Sequence, residues 1–421
     1  MNMLKMTKDF KPAQLVSVLV NFIGFVVLLT CVLLSPHALV YDEVYHLPLV
    51  DLLNQYGLSY RFLRGTGQSA PGPLYPIIHY IFQPLTNLEA PAIRLVNILL
   101  LLLLILVLSL TLQKIFKIPQ PLVSSLTIMG LPMIWVITGM ALTEIPAMLL
   151  ATLAVFLIFI ALEKIADNQQ MSLGIAALSG LCLGMAIVGR QTFLVLVFIL
   201  PILTISSSKK SWQPLILCWL TSGILPAIVF SVWGGLVPPG QSSLSSGYSL
   251  VNGFLSFAYT GLLLFILAPK WFSLNKVIII SVLVSSFLGN AIFKILSIRP
   301  AYQVFKKIIP DPTWLSFFFY LASSCLLAFG ILFLIASLNN CRDHNRDSKF
   351  LFLNVAVIVV AATAFRITHY YSTRYTATAI PFLILLAQYY TKDNYFKVAR
   401  LLLGNIVGCL MLVSYFLRPW N

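Results

Sequence analysis

A succession of apolar runs, separated by short polar connections, constrains this chain more than any other feature. A bilayer's hydrocarbon core needs about 20 apolar residues of helix to cross it. Runs of this kind cover roughly residues 15–35, 93–112, 121–139, 146–162, 171–189, 193–206, 214–232, 250–269, 277–296, 315–339, 350–365, 376–390 and 401–417, about thirteen spans in all. Of the 421 residues, 59% are hydrophobic and 9% charged, whereas soluble domains carry about 25% charged residues. The expected fold is therefore all-α, a polytopic membrane helical bundle forming one domain over residues 1–421. The first run exceeds the ~7–15 apolar residues of a secretory signal, so it reads as a retained span.

The formal charge of +15 does not call for a nucleic-acid partner, because most of the excess lies in short loops where it sets orientation. With Lys5, Lys8 and Lys11 in the cytoplasm, every second connection is short and basic. Lys114 with Lys117, Lys164, Lys209 with Lys210, and Lys270 with Lys276 fit this pattern, as do Arg342, Arg346 and Lys349, then Lys392, Lys397 and Arg400. An odd span count and an external C-terminus follow. The six cysteines (31, 182, 218, 325, 341 and 409) have no metal-ligand or disulfide spacing and read as buried free thiols.

The opposite-face loops, about 36–92, 140–145, 190–192, 233–249, 297–314 and 366–375, should be poor in basic residues. They nevertheless hold Arg61, Arg64, Arg190, Arg299, Lys306, Lys307, Arg366 and Arg374. Charges that defy the orientation bias are functional candidates, and snorkelling to lipid headgroups is the competing role. Within the first loop, Asp42 to Tyr56 reads as a short amphipathic helix closed by Gly57. From Pro71 to Leu85, the residues Leu74, Ile77, Ile78, Ile81, Phe82 and Leu85 form one stripe of an interfacial helix. Arg61 to Gly72, between them, is polar and glycine-rich and reads as a flexible crossing.

The chemistry-bearing residues cluster on that same face. Asp42 and Glu43 are adjacent, and His46 lies three to four residues on, within reach on a helix. Two neighbouring carboxylates need not titrate alike. One can serve as a base for an acceptor hydroxyl while the other orients it or binds substrate. Helix capping by the acids is the competing reading. Metal binding by Asp42, Glu43 and His46 has no further histidine cluster behind it, so no metal or other cofactor is assigned. Glu144, in the turn before Pro146, is either a site acid or a helix-capping residue beside Thr143. Arg190, followed by Gln191 and Thr192, suits a phosphate or an ion pair with Asp42, Glu43 or Glu144. Arg374, among Tyr370, Tyr371 and Tyr375, suits a phosphate with tyrosines stacking on a sugar, although interfacial tyrosines are also ordinary belt residues. No nucleotide cradle or HExxH is present, so a donor would be lipid-borne.

In order, these residues resemble the GT-C superfamily of membrane glycosyltransferases, which use polyprenyl-phosphate sugars. Asp42-Glu43-Val44-Tyr45-His46-Leu47-Pro48 is similar to the DE-x-x-H-x-P signature of the dolichyl-phosphate-glucose α-1,2-glucosyltransferase family. Ala70-Pro71-Gly72-Pro73-Leu74-Tyr75 is similar to its Pro-Pro-Gly-Leu-Tyr segment, with an inserted proline. Arg94-Leu95-Val96-Asn97, Arg190-Gln191-Thr192 and Arg374-Tyr375 resemble its Arg-Leu-x-Asn, Arg-Gln-Thr and late Arg-Tyr. Gly67-Gln68-Ser69 stands where that family has an acid. The resemblance implies inverting transfer of a sugar, glucose in that family, from a polyprenyl-phosphate donor to a glycan, lipid or protein acceptor. It makes Asp42 the base and Glu43 its neighbour on acceptor or donor. It gives substrate contacts to His46, Arg190, Gln191, Arg374, Tyr375, Glu144 and Tyr75. The compact loops point to a bacterial plasma membrane rather than endoplasmic reticulum, with an extracytoplasmic site. A transporter or lipid flippase is the alternative, but it would carry charges near mid-membrane and internal repeats. A non-catalytic assembly subunit and a polysaccharide polymerase or ligase are further alternatives.

Overall fold

In the computed structural model, residues 12–66, 72–205, 209–244, 247–296, 306, 309, 311–391 and 394–417 are described, and no β-strand occurs among them. The first long helix, α1 (Pro12–Leu33), leads into four short ones: α2 (Glu43–His46), α3 (Pro48–Tyr56), α4 (Tyr60–Gly65) and α5 (Leu74–Thr86). After α6 (Ala92–Lys114) comes a pair bent by 80°, α7 (Pro121–Gly130) and α8 (Pro132–Gly139). Then follow α9 (Glu144–Lys164), α10 (Gln169–Gly189), the shorter α11 (Gln191–Thr204), α12 (Trp212–Trp233) and α13 (Leu250–Leu267). The chain continues through α14 (Lys276–Phe293), α15 (Pro312–Asp343) and α16 (Ser348–Arg366). It ends with α17 (Arg374–Ala377), α18 (Ile380–Ala387) and α19 (Tyr395–Phe416).

Ten of these helices are long and apolar enough to cross a membrane, or eleven counting the bent pair as one. The protein is thus an all-α polytopic bundle, but three of the expected thirteen spans are not straight helices. Pro132 ends the helical run at 121–139, because proline has no N–H to donate and clashes with the preceding turn. Leu131 is extended there (φ −103°), and Trp135 Nε1 closes the elbow by donating to Met129 O at 2.9 Å. Pro201 lies in the tight turn Leu200–Thr204 that ends α11. The third, α18, has eight residues, about 12 Å of helix, and every one of them is buried. Its apolarity reflects enclosure by protein rather than contact with lipid, a distinction that hydropathy cannot make.

Contacts sort the connections into two faces. On one, Ala141 meets Glu43, Arg190 meets Glu144, Asn252 meets Ile367, and Arg374 meets Asp42. On the other, Gln169 meets Gln213, Lys349 meets Glu163, and His344 meets Tyr390. The sequence alternation drew this division in the same places. Lys5, Lys8, Lys11, Arg299, Lys307 and Lys392 lie outside the described residues.

In lipid, helices associate through close packing and hydrogen bonds rather than through the hydrophobic effect. Ser179 on α10 accordingly donates to Ala154 O on α9 at 2.7 Å. Gly180 and Gly184, four apart on α10, lie against the α12 backbone at Cys218 and Ser222, where a Cβ would collide. Among the cysteines only Cys182 and Cys218 are buried; Cys325 is exposed on the apolar surface of α15. The reading of buried thiols thus holds for two of the six.

Residues 61–66, expected as part of a flexible crossing, are helical up to Gly65. Pro48 divides the expected 42–56 helix into α2 and α3, and Gly57 (φ +57°) closes it by donating to Leu53 O at 2.8 Å. Arg61 and Arg64 lie on α4, which Ser59 caps and fully buried Phe62 anchors. Residues 67–71 lie outside the described residues. On α5, Ile81 and Leu85 are exposed while Tyr75 and His79 are enclosed. The helix therefore offers one edge to the membrane interface and packs the other over the site.

Candidate active site

Asp42 and Glu43 are adjacent, yet they face different surroundings. Glu43 is fully buried. Arg94, at the start of α6, grips it through Nε to Oε1 (2.9 Å) and Nη2 to Oε2 (2.7 Å). Its remaining N–H groups go to Ser35 Oγ, Pro36 O and Ala38 O at 2.6–2.9 Å. Glu43 also accepts from Val40 N at 2.9 Å and from Ala141 N at 2.8 Å. A carboxylate so fully partnered is a fastener: it ties the end of α1, the start of α6 and the turn after α8 into one frame. Asn97, one turn along α6, donates to the carbonyls of Ile137, Met140 and Leu142, completing the hold on that turn.

That frame positions the neighbouring charges. Asp42 is 20% accessible and pairs with Arg374 of α17. It makes no capping bond to α2, which removes the capping role for it. Glu144, enclosed at the first turn of α9, takes Arg190 Nη2 at 2.8 Å and Arg374 Nε at 3.8 Å on one oxygen. Arg190 Nη1 reaches Thr143 Oγ1 at 3.4 Å. Arg374 lies between the Tyr41 and Tyr375 rings, 5.5 and 5.2 Å from their centroids, close enough for attraction between cation and ring face. Tyr375 accepts from Arg374 Nη2 at 3.5 Å, and its hydroxyl lies 2.8 Å from His369 Nε2. Two carboxylates and two guanidiniums from four distant segments thus meet at one place, and Asp42 is the most accessible of them.

The remaining sequence candidates divide. His46 Nε2 is 3.9 Å from Asp42 Oδ2, so His46 belongs with the cluster. Gln191 is half-buried in the turn following Arg190. Tyr75 is enclosed behind Glu43, donating its hydroxyl to Ala141 O at 2.8 Å, so it supports the frame. Sequence reasoning left Tyr41 and His79 unassigned, offered Thr143 only as a helix cap, a bond its side chain does not make, and gave Arg94 and Asn97 no role beyond the motif. The signal for Arg94 was present: an arginine opening a 23-residue apolar helix needs an acid partner. Among the described residues, no three His, Cys, Asp or Glu side chains form a group that could hold a metal.

Burial sets the titration of the histidines beside the site. His46 is pushed down to about 3, first by burial and then by Arg374 and Arg190. His79, its ring tilted against Tyr75 at 4.2 Å, is likewise pushed down to about 3 by burial and by His46. Burial pushes the Tyr41 phenol up to about 12. Both imidazoles are therefore neutral at pH 7. Unfolded histidines bind a proton below about pH 6.5, so between there and pH 3 the unfolded chain holds more protons and stability falls as the pH falls. The expected loss by pH 4.5 is about 2–3 kcal/mol per histidine, read as a falling Tm in detergent. His79→Phe should remove about half of that acid sensitivity, and an unchanged slope would exclude this origin.

No family model matches the chain, and no curated protein matches it. In fold it is similar to the crystal structure of ArnT from Cupriavidus metallidurans bound to undecaprenyl phosphate. The two are 14% identical, the likeness covers 92% of this chain and 77% of that one, and the TM-score is 0.44.

Proposed function

We propose that the protein is an integral membrane glycosyltransferase. It moves a sugar from a polyprenyl-phosphate carrier to an acceptor hydroxyl on the extracytoplasmic face of a bacterial plasma membrane. The observation that carries this reading is the convergence of partly accessible Asp42 with Arg374, Arg190 and Glu144 beside the ends of α9 and α10. A base beside paired guanidiniums, on the face opposite the basic loops, suits a substrate whose phosphate is anchored in lipid.

In this mechanism Asp42 takes the proton of the acceptor hydroxyl as its oxygen attacks the anomeric carbon. The bond from that carbon to the phosphate oxygen breaks on the opposite side, and its electron pair leaves with the phosphate. The configuration inverts through an oxocarbenium-like transition state. Arg374 and Arg190 meet the charge that builds on the leaving phosphate, which stabilises the transition state more than the ground state. Glu144 holds both guanidiniums in place. Phosphate and Asp42 are alternative partners for Arg374, so an arriving donor frees the base. Glucose is the first sugar to test, because Asp42 to Pro48 and Arg190 to Thr192 resemble the glucosyltransferase motifs. The reaction as written uses no cofactor.

The test is incubation of purified protein with labelled polyprenyl-phosphate sugars and extracted acceptors. Consumption of one donor with appearance of a glycosylated acceptor is expected. Movement of the intact lipid across a vesicle membrane, with no donor cleaved, would replace this reading with the transporter. Substituting Arg190 or Arg374 by Lys keeps the charge but loses the planar fork. Each is expected to lower kcat by about 10²-fold and to raise the donor KM, measured by initial rates against donor concentration.

A further inference from the structure

Cys31 and Cys409 stand 378 residues apart in sequence, yet their sulfurs lie 3.9 Å from each other. Cys31 is in the last turn of α1 and Cys409 is in the second half of α19. Each is half-buried. Other cysteines have different surroundings. Cys218 Sγ is 3.5 Å from Ser179 Oγ, Cys341 Sγ accepts from Asn354 Nδ2 at 2.8 Å, and Cys325 is exposed on α15.

The sulfur contact is one step of a continuous seam. Gly24 and Cys31 are two turns apart on α1, and Asn405 and Cys409 one turn apart on α19, so each pair shares a helix face. Gly24 meets the Asn405 side chain, which fills the space a Cβ would take, and Cys31 meets Cys409. Past the end of α1, Tyr41 packs edge-on against Tyr415 with ring centroids 5.1 Å apart. Arg94 lies over the Phe416 ring, 5.0 Å from its centroid. The last helix is thus docked along the first, up to the residue before Asp42 and to the arginine that fastens Glu43.

We propose that Cys31 and Cys409 are a redox-active pair, whose oxidation to a disulfide clasps the last span to the first beside the frame that holds Asp42. Closing the gap to the ~2 Å of an S–S bond needs a shift of about 2 Å shared between two side chains. The oxidant is a disulfide compound. One thiolate of the pair attacks a sulfur of that compound, forming a mixed disulfide and releasing a thiolate. The second thiolate of the pair attacks the cysteine sulfur of the mixed disulfide, which closes the Cys31–Cys409 bond and expels the other thiolate. The two protons lost by the pair go to the released thiolates. The pair gives up two electrons, and the oxidant becomes two thiols. In the chain-entropy account, a cross-link over so long a loop constrains the unfolded chain strongly, so the oxidised protein is the more stable form. The clasp does not depend on sugar transfer.

The experiment treats the purified full chain in detergent with an excess of dithiodipyridine, an apolar disulfide, over hours. Peptide mass mapping and Tm are the readouts. The expected product is a Cys31–Cys409 cross-linked peptide with no pyridyl group on either cysteine. Cys31→Ala and Cys409→Ser, either serving as the control, should lack that peptide while carrying the same adducts elsewhere. The rise in Tm on oxidation should exceed that of the control by about 4–8 °C, and a dithiol reductant should reverse it. The mass map of the wild type needs no variant. If the pair stays reduced, or both cysteines keep pyridyl adducts, the sulfurs are in packing contact only and the proposal is overturned. A cross-link that leaves Tm level with the control overturns the clasp as well.

Discussion

Asp42→Asn is expected to cut sugar transfer by about 10²–10⁴-fold, the range for losing a general base. The chain should still insert and fold, because the substitution is isosteric and the side chain is partly accessible. Asp42 also pairs with Arg374, so the variant has two routes to failure. They differ in kinetics. Loss of the base lowers kcat and leaves the donor KM close to wild type, whereas a displaced Arg374 raises that KM. Asp42→Glu keeps a carboxylate and should recover part of the rate. Initial rates over a donor series, with Tm as a control for folding, decide the matter. An Asp42→Asn protein that turns over like the wild type would remove Asp42 from the chemistry.

The second large effect falls on stability and separates the two adjacent acids. Glu43→Gln or Arg94→Leu leaves one member of a fully buried pair without its counter-charge, and breaking such a pair costs about 3–5 kcal/mol. Either variant should lower Tm sharply or reduce the yield of folded protein. Replacing both, as Glu43→Leu with Arg94→Met, removes the uncompensated charge and should recover much of the loss, because apolar replacements of buried pairs are often neutral. The backbone N–H groups of Val40 and Ala141 would still lack their acceptor, so recovery should be incomplete. A Glu43→Gln protein of unchanged Tm but abolished turnover would give Glu43 a direct part in the reaction instead.

Much of this was legible in the sequence because charges in an apolar chain are costly and therefore few. Glu144, Arg190 and Arg374 were found as ionisable residues in short connections, and the alternation of basic loops put them on one face with Asp42. The inward and outward roles within the Asp-Glu pair were not legible. The fastening partner, Arg94, lies 51 residues from Glu43, and nothing local marks which acid it selects. The elbow at Pro132 and the enclosed α18 were missed for a related reason: a segment buried in protein and a segment facing lipid have the same hydropathy. The flexible reading of 61–72 failed in its first half because Phe62, the one buried side chain of α4, anchors an otherwise polar stretch.

The cluster draws its members from residues 42, 144, 190 and 374, which has a consequence for biogenesis. The ribosome delivers Asp42 and Glu144 to the membrane long before it has made residue 374. Throughout that interval Asp42 is without its Arg374 partner. Placement of the segment that carries Arg374 then locks the first loop. A fault in late insertion is consequently felt near the N-terminus, where Asp42 is left without its counter-ion.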